Sequence, residues 1–356
     1  MPSEARQQHP TRTPEIQPSR KLLIFIVTLL CAVVIACLID HANLNSFRRA
    51  FAPSCPSVVG LSAASASASV AASSYSAKIS SEFDSSKMTT KTPVYFLSHG
   101  GPNVMYQTDH PAYKKLGAIG KEITTKVKPD AVVVFSAHWQ GGKDVIYVNT
   151  AEMTDLIYDF YGFPDHYYEE KYPNVGSRQV ADKVLSALQG AGIEAKGVKR
   201  GLDHGVWASF KCAFEPKTNP LNVPIVQVSL FDTEDPDQHY RLGQAVSHLR
   251  SQNILIIVSG MAVHNLRDMR FTMGSPRPLP YAVSFDEALK EAKAMAELLK
   301  RPDARQAHPW FDHLLPIHVG AGAAGVDEGK RLWTFPEGSM SWAQYRFGEV
   351  GDSSSL

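Results

Sequence analysis

The chain has 356 residues, 36 of them basic and 35 acidic, for a net charge of +1. That length buries the core of one large domain or two small ones, and the balanced charge gives no reason to expect a nucleic-acid partner. Four cysteines without a CxxC pair argue against a disulfide framework and a thiolate zinc site, whereas 13 histidines make imidazole the place to look for chemistry.

Residues 1–21 are polar and contain prolines, and are expected to form a disordered tail. Leu22 to Ile39 is apolar apart from Thr28, which is about the minimum for a membrane-spanning helix. Arg6, Arg12, Arg20 and Lys21 precede it, so the positive-inside rule favours a cytoplasmic N-terminus and a membrane-anchored body. A cleaved signal or an organelle-targeting segment is the alternative. Residues 40–91, rich in Ser and Ala, read as a disordered linker. The folded domain is expected over 92–348, with a tail over 349–356.

Within that domain, Val94 to Ser98 is a strand of apolar character that leads into His99, Gly100, Gly101 and Pro102. Asp109 or His110 then opens a helix with Pro111 near its first position, and Lys128-Pro129 closes it. Ala131 to Phe135 is apolar on both faces, as in a central strand covered by helices, and ends on Ser136, Ala137, His138 and Trp139. A short strand over Val145 to Val148 precedes an aromatic loop from Ile157 to Pro164. Ser177 to Gln189 is an amphipathic helix and Ile193 to Val198 an edge strand. A glycine-flanked turn carries Asp203 and His204. Val223 to Leu230 is a buried strand, and His239 to Arg250 a helix. Ile254 to Gly260 is a third buried strand, leading to His264 and Asn265. Phe285 to Lys300 is helical, and His313 to Gly325 is a small, apolar segment that packs under the sheet. The alternation predicts a single α/β domain with a central, mostly parallel or mixed sheet flanked by helices, preceded by the membrane segment and the linker.

Three apolar strands that each deliver a histidine at the same edge place His99, His138 and His264 where open α/β sheets hold their ligands. Taken singly, each is as readily a hydrogen-bonded core residue; together they form a set of neutral nitrogen donors for a borderline divalent ion, which the ligand type alone does not select. His204 is a fourth candidate, as a base beside the ion or as a ligand. The aromatic loop reads either as a satellite core or as a stacking wall for an aromatic ligand, and Tyr158, Phe160, Trp139 and Asn265 are the candidate substrate contacts. His110, His239, His248, His308, His313 and His318 are expected on helix surfaces or in packing. SHGGP lacks the GxSxG partner of an esterase, and no GxGxxG or P-loop run follows a strand.

The pieces SHGGP (98–102), PDAVVVFSAHW (129–139), YDFYGFP (158–164), LDHGVW (202–207), VPIVQVSL (223–230) and SGMAVHNL (259–266), with HP…HLLPI (308–317), occur in one order. With them, the body from about Pro93 to Phe347 resembles the class III extradiol ring-cleavage dioxygenases, in the DOPA 4,5-dioxygenase branch of the LigB-like superfamily. The resemblance implies one Fe(II) or Zn(II) per chain on His99, His138 and His264, with His204 as acid–base residue or further ligand. It also implies a small aromatic substrate, a catechol of DOPA-like kind, and dioxygen. Zinc binds a catechol but does no redox chemistry. Two other readings use the same residues: a zinc-dependent non-redox enzyme, and a membrane-tethered protein that binds metal or catechol without turnover. The anchor and tether depart from the family's usual soluble body, and Met261 and Val263 stand where the branch has smaller or polar residues.

Overall fold

The computed structural model describes residues 91–351 except 273, 274, 276 and 291–294. The tail, apolar segment and linker expected over 1–90 lie outside the described residues. Among those described, no helix is long and apolar enough to cross a membrane.

In chain order the strands are β1 (Val94–Ser98), β2 (Ala131–Gln140), β3 (Val145–Asn149), β4 (Glu194–Val198), β5 (Ile225–Leu230), β6 (Ile254–Gly260), β7 (Val263–His264), β8 (Gly329–Trp333), β9 (Pro336–Glu337), β10 (Met340–Ser341) and β11 (Gln344–Phe347). The longer helices are α1 (Pro111–Glu122), α2 (Arg178–Gly190), α3 (His204–Ala213), α4 (Pro236–Val246), α5 (Leu266–Thr272), α6 (Pro280–Lys290) and α7 (Leu315–Ala324). Eight strands form one mixed sheet in the order β4-β3-β5-β2-β6-β1-β11-β8. Its centre is parallel, with β6 between β2 and β1 and β5 on the far side of β2. The joins of β3 to β5 and of β11 to β1 and β8 are antiparallel. A second, three-stranded sheet runs β7-β10-β9.

Every residue of β1, β5 and β6 is buried, as their unbroken apolar runs require. Alternate side chains serve opposite faces. Val94 and Phe96 join the core that includes Val184 of α2, Leu242 of α4 and Val319 of α7. Tyr95 and Leu97 join the core that includes Leu116 of α1 and Phe210 of α3. Local chemistry sets the helix ends. His110 caps α1 by accepting from the Ala112 N–H at 3.2 Å, with Pro111 next, and Ser177 caps α2 by accepting from the Val180 N–H at 3.2 Å. The expected edge strand is β4. Of the helix expected over Phe285 to Lys300, α6 covers the part up to Lys290, and a 3₁₀ turn occupies Met295–Lys300.

Candidate active site

Parallel pairing sets Ser98 of β1 beside Gly260 of β6, and Ser136 of β2 beside Ser259 of β6, so these strands end at one edge. His99 follows β1, with its N–H on the Gly260 carbonyl at 3.0 Å. His138 lies near the end of β2, His264 ends β7, and His204 opens α3. All four line a cavity of about 880 Å³. Two glycines make the approach possible. Gly100 has φ +66°, and a Cβ there would lie 2.0 Å from the Trp342 ring. A Cβ on Gly205 would lie 2.7 Å from Ser136 Oγ and 2.8 Å from His138 Cδ2, so glycine lets the first turn of α3 reach the strand ends.

The imidazoles are oriented from behind. Ser259 Oγ donates its one proton to the Gly205 carbonyl at 2.5 Å, so it accepts from His99 Nδ1 at 2.9 Å and leaves His99 Nε2 bare. Asp159 spans two rings, with Oδ1 2.9 Å from His204 Nδ1 and Oδ2 3.1 Å from His138 Nδ1. Its Oδ1 also accepts from the His204 backbone N–H at 3.0 Å. Both Nδ1 atoms therefore donate to the carboxylate, and both Nε2 atoms face the cavity. Asp159 reaches this position because a bridge between Leu156 and Leu202 holds its loop against the turn before α3. The Trp207 indole N–H reinforces it on the Ile157 carbonyl at 3.0 Å. Behind His138, buried Asp203 accepts from Ser136 Oγ at 2.7 Å, from Arg200 at 3.1 Å and from Gln227.

A fifth imidazole completes the ring. His313 was expected in packing, yet it lines the cavity, with Nε2 3.2 Å from His138 Nε2. His99 Nε2 is likewise 3.2 Å from His138 Nε2, and the ligand atoms of His99, His138 and His313 lie within 4.8 Å of one another. His264 stacks on His313 with centroids 3.7 Å apart and planes 12° from parallel. Thus His264 enters the ring of nitrogens beside His313, rather than in direct company with His99 and His138. Burial pushes the pKa of His99, His264 and His313 down, and the neighbouring imidazoles add to the effect. Burial also lowers His204 against the opposing pull of Asp159. For His138 burial opposes charge too, but the Asp159 hydrogen bond and the Asp203, Asp159 and Asp312 charges outweigh it and raise the pKa. Burial would raise Asp159, but its bonds to His138 and His204 hold it below the usual carboxylate range. Buried lone pairs that meet at such distances repel one another. This donor set fits a divalent cation of the kind imidazole binds.

Of the four expected substrate contacts, Phe160 lines the cavity, edge-on to His204 at 5.6 Å between centroids. The other three are placed elsewhere. Tyr158 donates its hydroxyl to the Glu170 carbonyl at 2.7 Å, and Trp139 lies under the Arg200 guanidinium at 4.5 Å. Asn265 caps α5, accepting from the Arg267 and Asp268 N–H groups and donating to Asp268, Tyr281 and Gln306. Sequence reasoning also missed Asp159, whose only local signal is a lone carboxylate among aromatic residues.

The family pattern described as the catalytic LigB subunit of aromatic ring-opening dioxygenase matches residues 88–347. The chain is 35% identical over 268 residues to a Beta vulgaris protein named 4,5-DOPA dioxygenase extradiol, covering 71% of this chain and 95% of that one. It is 32% identical over 262 residues to a Schizosaccharomyces pombe protein named 4,5-DOPA dioxygenase extradiol-like protein, covering 67% and 86%. The crystal structure of an uncharacterised Escherichia coli K12 protein superposes with a TM-score of 0.58 at 26% identity, over 72% of this chain and 100% of that one.

Proposed function

Because the chain belongs to the LigB family and is an aromatic ring-opening dioxygenase of the extradiol type, we propose that it opens a catechol ring with dioxygen at the histidine-lined end of the cavity. His99, His138 and His264 would hold one divalent ion, with His313 stacked on His264 and its Nε2 beside that of His138, and with His204 as the base. Bound there, Fe(II) supplies the redox path between catechol and dioxygen that Zn(II) lacks.

The protein's own part is positioning and proton movement. His204 carries its proton on Nδ1, held by Asp159. Its Nε2 is free to take a phenolic proton from the substrate and to return one later. Asp159 stabilises the imidazolium that forms, since the same carboxylate that fixes the tautomer also balances the charge. Burial keeps His204 neutral at rest, as a base must be. Phe160, Phe163, Met261, Met269 and Trp342 make the wall largely apolar, which suits an aromatic ring.

The observation that carries this reading is the meeting of His99 Nε2 and His138 Nε2 at 3.2 Å, each turned there by a partner at Nδ1. The test is anaerobic reconstitution with Fe(II), addition of a catechol panel, and product mass after oxygen is admitted. A product heavier than its substrate by two oxygen atoms is expected. No oxygen uptake with any catechol would overturn the reading.

A further inference from the structure

The geometry points to Glu337 as an anchor for an ammonium group on the substrate's side chain, so that the preferred catechols carry an amine rather than a carboxylate. This rests on the catechol-opening reading and specifies what the far end of the cavity recognises.

Three facts of placement lead there. His264 pairs with Met340 across β7 and β10, and Met340 pairs with Glu337 across β10 and β9. Residues directly opposite on neighbouring strands share a face, so the three side chains project from one side of the small sheet. All three line the cavity. Two strand spacings separate Glu337 from His264 by about 10 Å between backbones, a span that a ring with a short tail can bridge.

Glu337 is held ready rather than neutralised. His110 Nδ1 accepts the Ala112 N–H at 3.2 Å, so the ring proton sits on Nε2 and is donated to Glu337 Oε2 at 3.1 Å. The Trp342 indole N–H reaches the same Oε2 at 3.3 Å. Both donors converge on one oxygen, and Oε1 takes no hydrogen bond among the described residues. The Glu337 side chain is 38% exposed, open to a ligand yet fixed in orientation.

Charge decides the ligand class. Asp159 and Glu337 are the acidic residues of the cavity wall, and no lysine or arginine belongs to it among the described residues. Asp159 is already engaged by His138 and His204. A substrate carboxylate would meet no cation and would face Glu337. An ammonium group would gain a charge-assisted hydrogen bond to Oε1. The competing role for Glu337 is a brace for His110 and Trp342 alone. Glu337→Gln separates the two, because the amide oxygen still accepts from both donors but the charge is gone.

The experiment is anaerobic titration calorimetry of the Fe(II)-loaded full chain with dopamine, 4-ethylcatechol and 3,4-dihydroxyphenylacetate, which differ mainly in tail charge. Dopamine should bind about tenfold tighter than 4-ethylcatechol, and 3,4-dihydroxyphenylacetate more weakly than either. In Glu337→Gln the dopamine to 4-ethylcatechol ratio should fall to near one; a ratio within one preparation is insensitive to its folded fraction. A wild-type ratio of one or less, or a ratio kept in Glu337→Gln, overturns the anchor. Binding is read without oxygen, so admitting oxygen afterwards tests ring opening separately: binding in the expected order with no product supports the anchor while rejecting the catechol-opening reading. No binding of any of the three overturns both.

Discussion

Asp159 holds two imidazoles with one carboxylate, so the proposed base His204 and the proposed metal ligand His138 depend on a single side chain. His204→Ala should lower kcat by about 10²–10⁴ and leave the metal content as it was, because the loss is of an acid–base group. Asp159→Asn should cost about 10–100-fold in activity or metal affinity, since the amide cannot accept from both Nδ1–H groups. Oxygen-uptake kinetics with metal analysis of the same samples separates the two effects; loss of metal from His204→Ala would make that residue a ligand. His313→Phe keeps a ring against His264 but removes the nitrogen, and should retain the metal that His264→Ala loses. Metal loss from His313→Phe would place the third donor on His313. The four histidines were legible because each ends an apolar strand or opens a glycine-flanked turn. Asp159 and His313 were not, since their partners lie 45 residues away at His204 and 175 residues away at His138, and no local pattern marks such a meeting.

Among the elements, the first turn of α3 is the tightest joint, because Gly205 lies against the ends of β1 and β2. Gly205→Ala gains up to about 1 kcal/mol in helix propensity. A Cβ within 2.7 Å of Ser136 Oγ and 2.8 Å of His138 Cδ2 overpacks the joint, which costs about 1–3 kcal/mol, so the clash should win. Thermal unfolding should show a lower Tm and metal content should drop; an unchanged Tm would mean that the joint has slack. The central strands were readable because burial on both faces demands unbroken apolar runs. The closing elements were not. β9 and β10 have two residues each, too short for any period, and β8 (GKRLW) carries exposed charge. Yet β9 brings Glu337, and β10 Met340, to the cavity wall, so part of that wall came from the least legible stretch of the chain.

For the whole molecule, buried neutral histidines tie stability to pH. Burial pushes His308 and His318 down to about 4, against the backbone carbonyls of Ala262 and Met295 that favour their charged forms. Between the unfolded value near 6.5 and the folded value near 4, the unfolded chain binds more protons, so stability rises with pH across that window and is lost on acidification. Each group contributes ~3 kcal/mol by pH 4. Denaturant unfolding from pH 7 to pH 4 should show this decline, and His318→Gln, which keeps a donor toward Met295, should flatten it. An identical slope in the variant would remove His318 from the explanation.

The proposed function places one metal ion in the ring of imidazoles at the sheet's edge. Anomalous scattering at the iron edge from crystals of the Fe(II)-loaded protein measures that position directly. A single peak next to the Nε2 atoms of His99 and His138 and a nitrogen of His264 is the expected result. A peak elsewhere in the fold, or none at full iron loading, would contradict it.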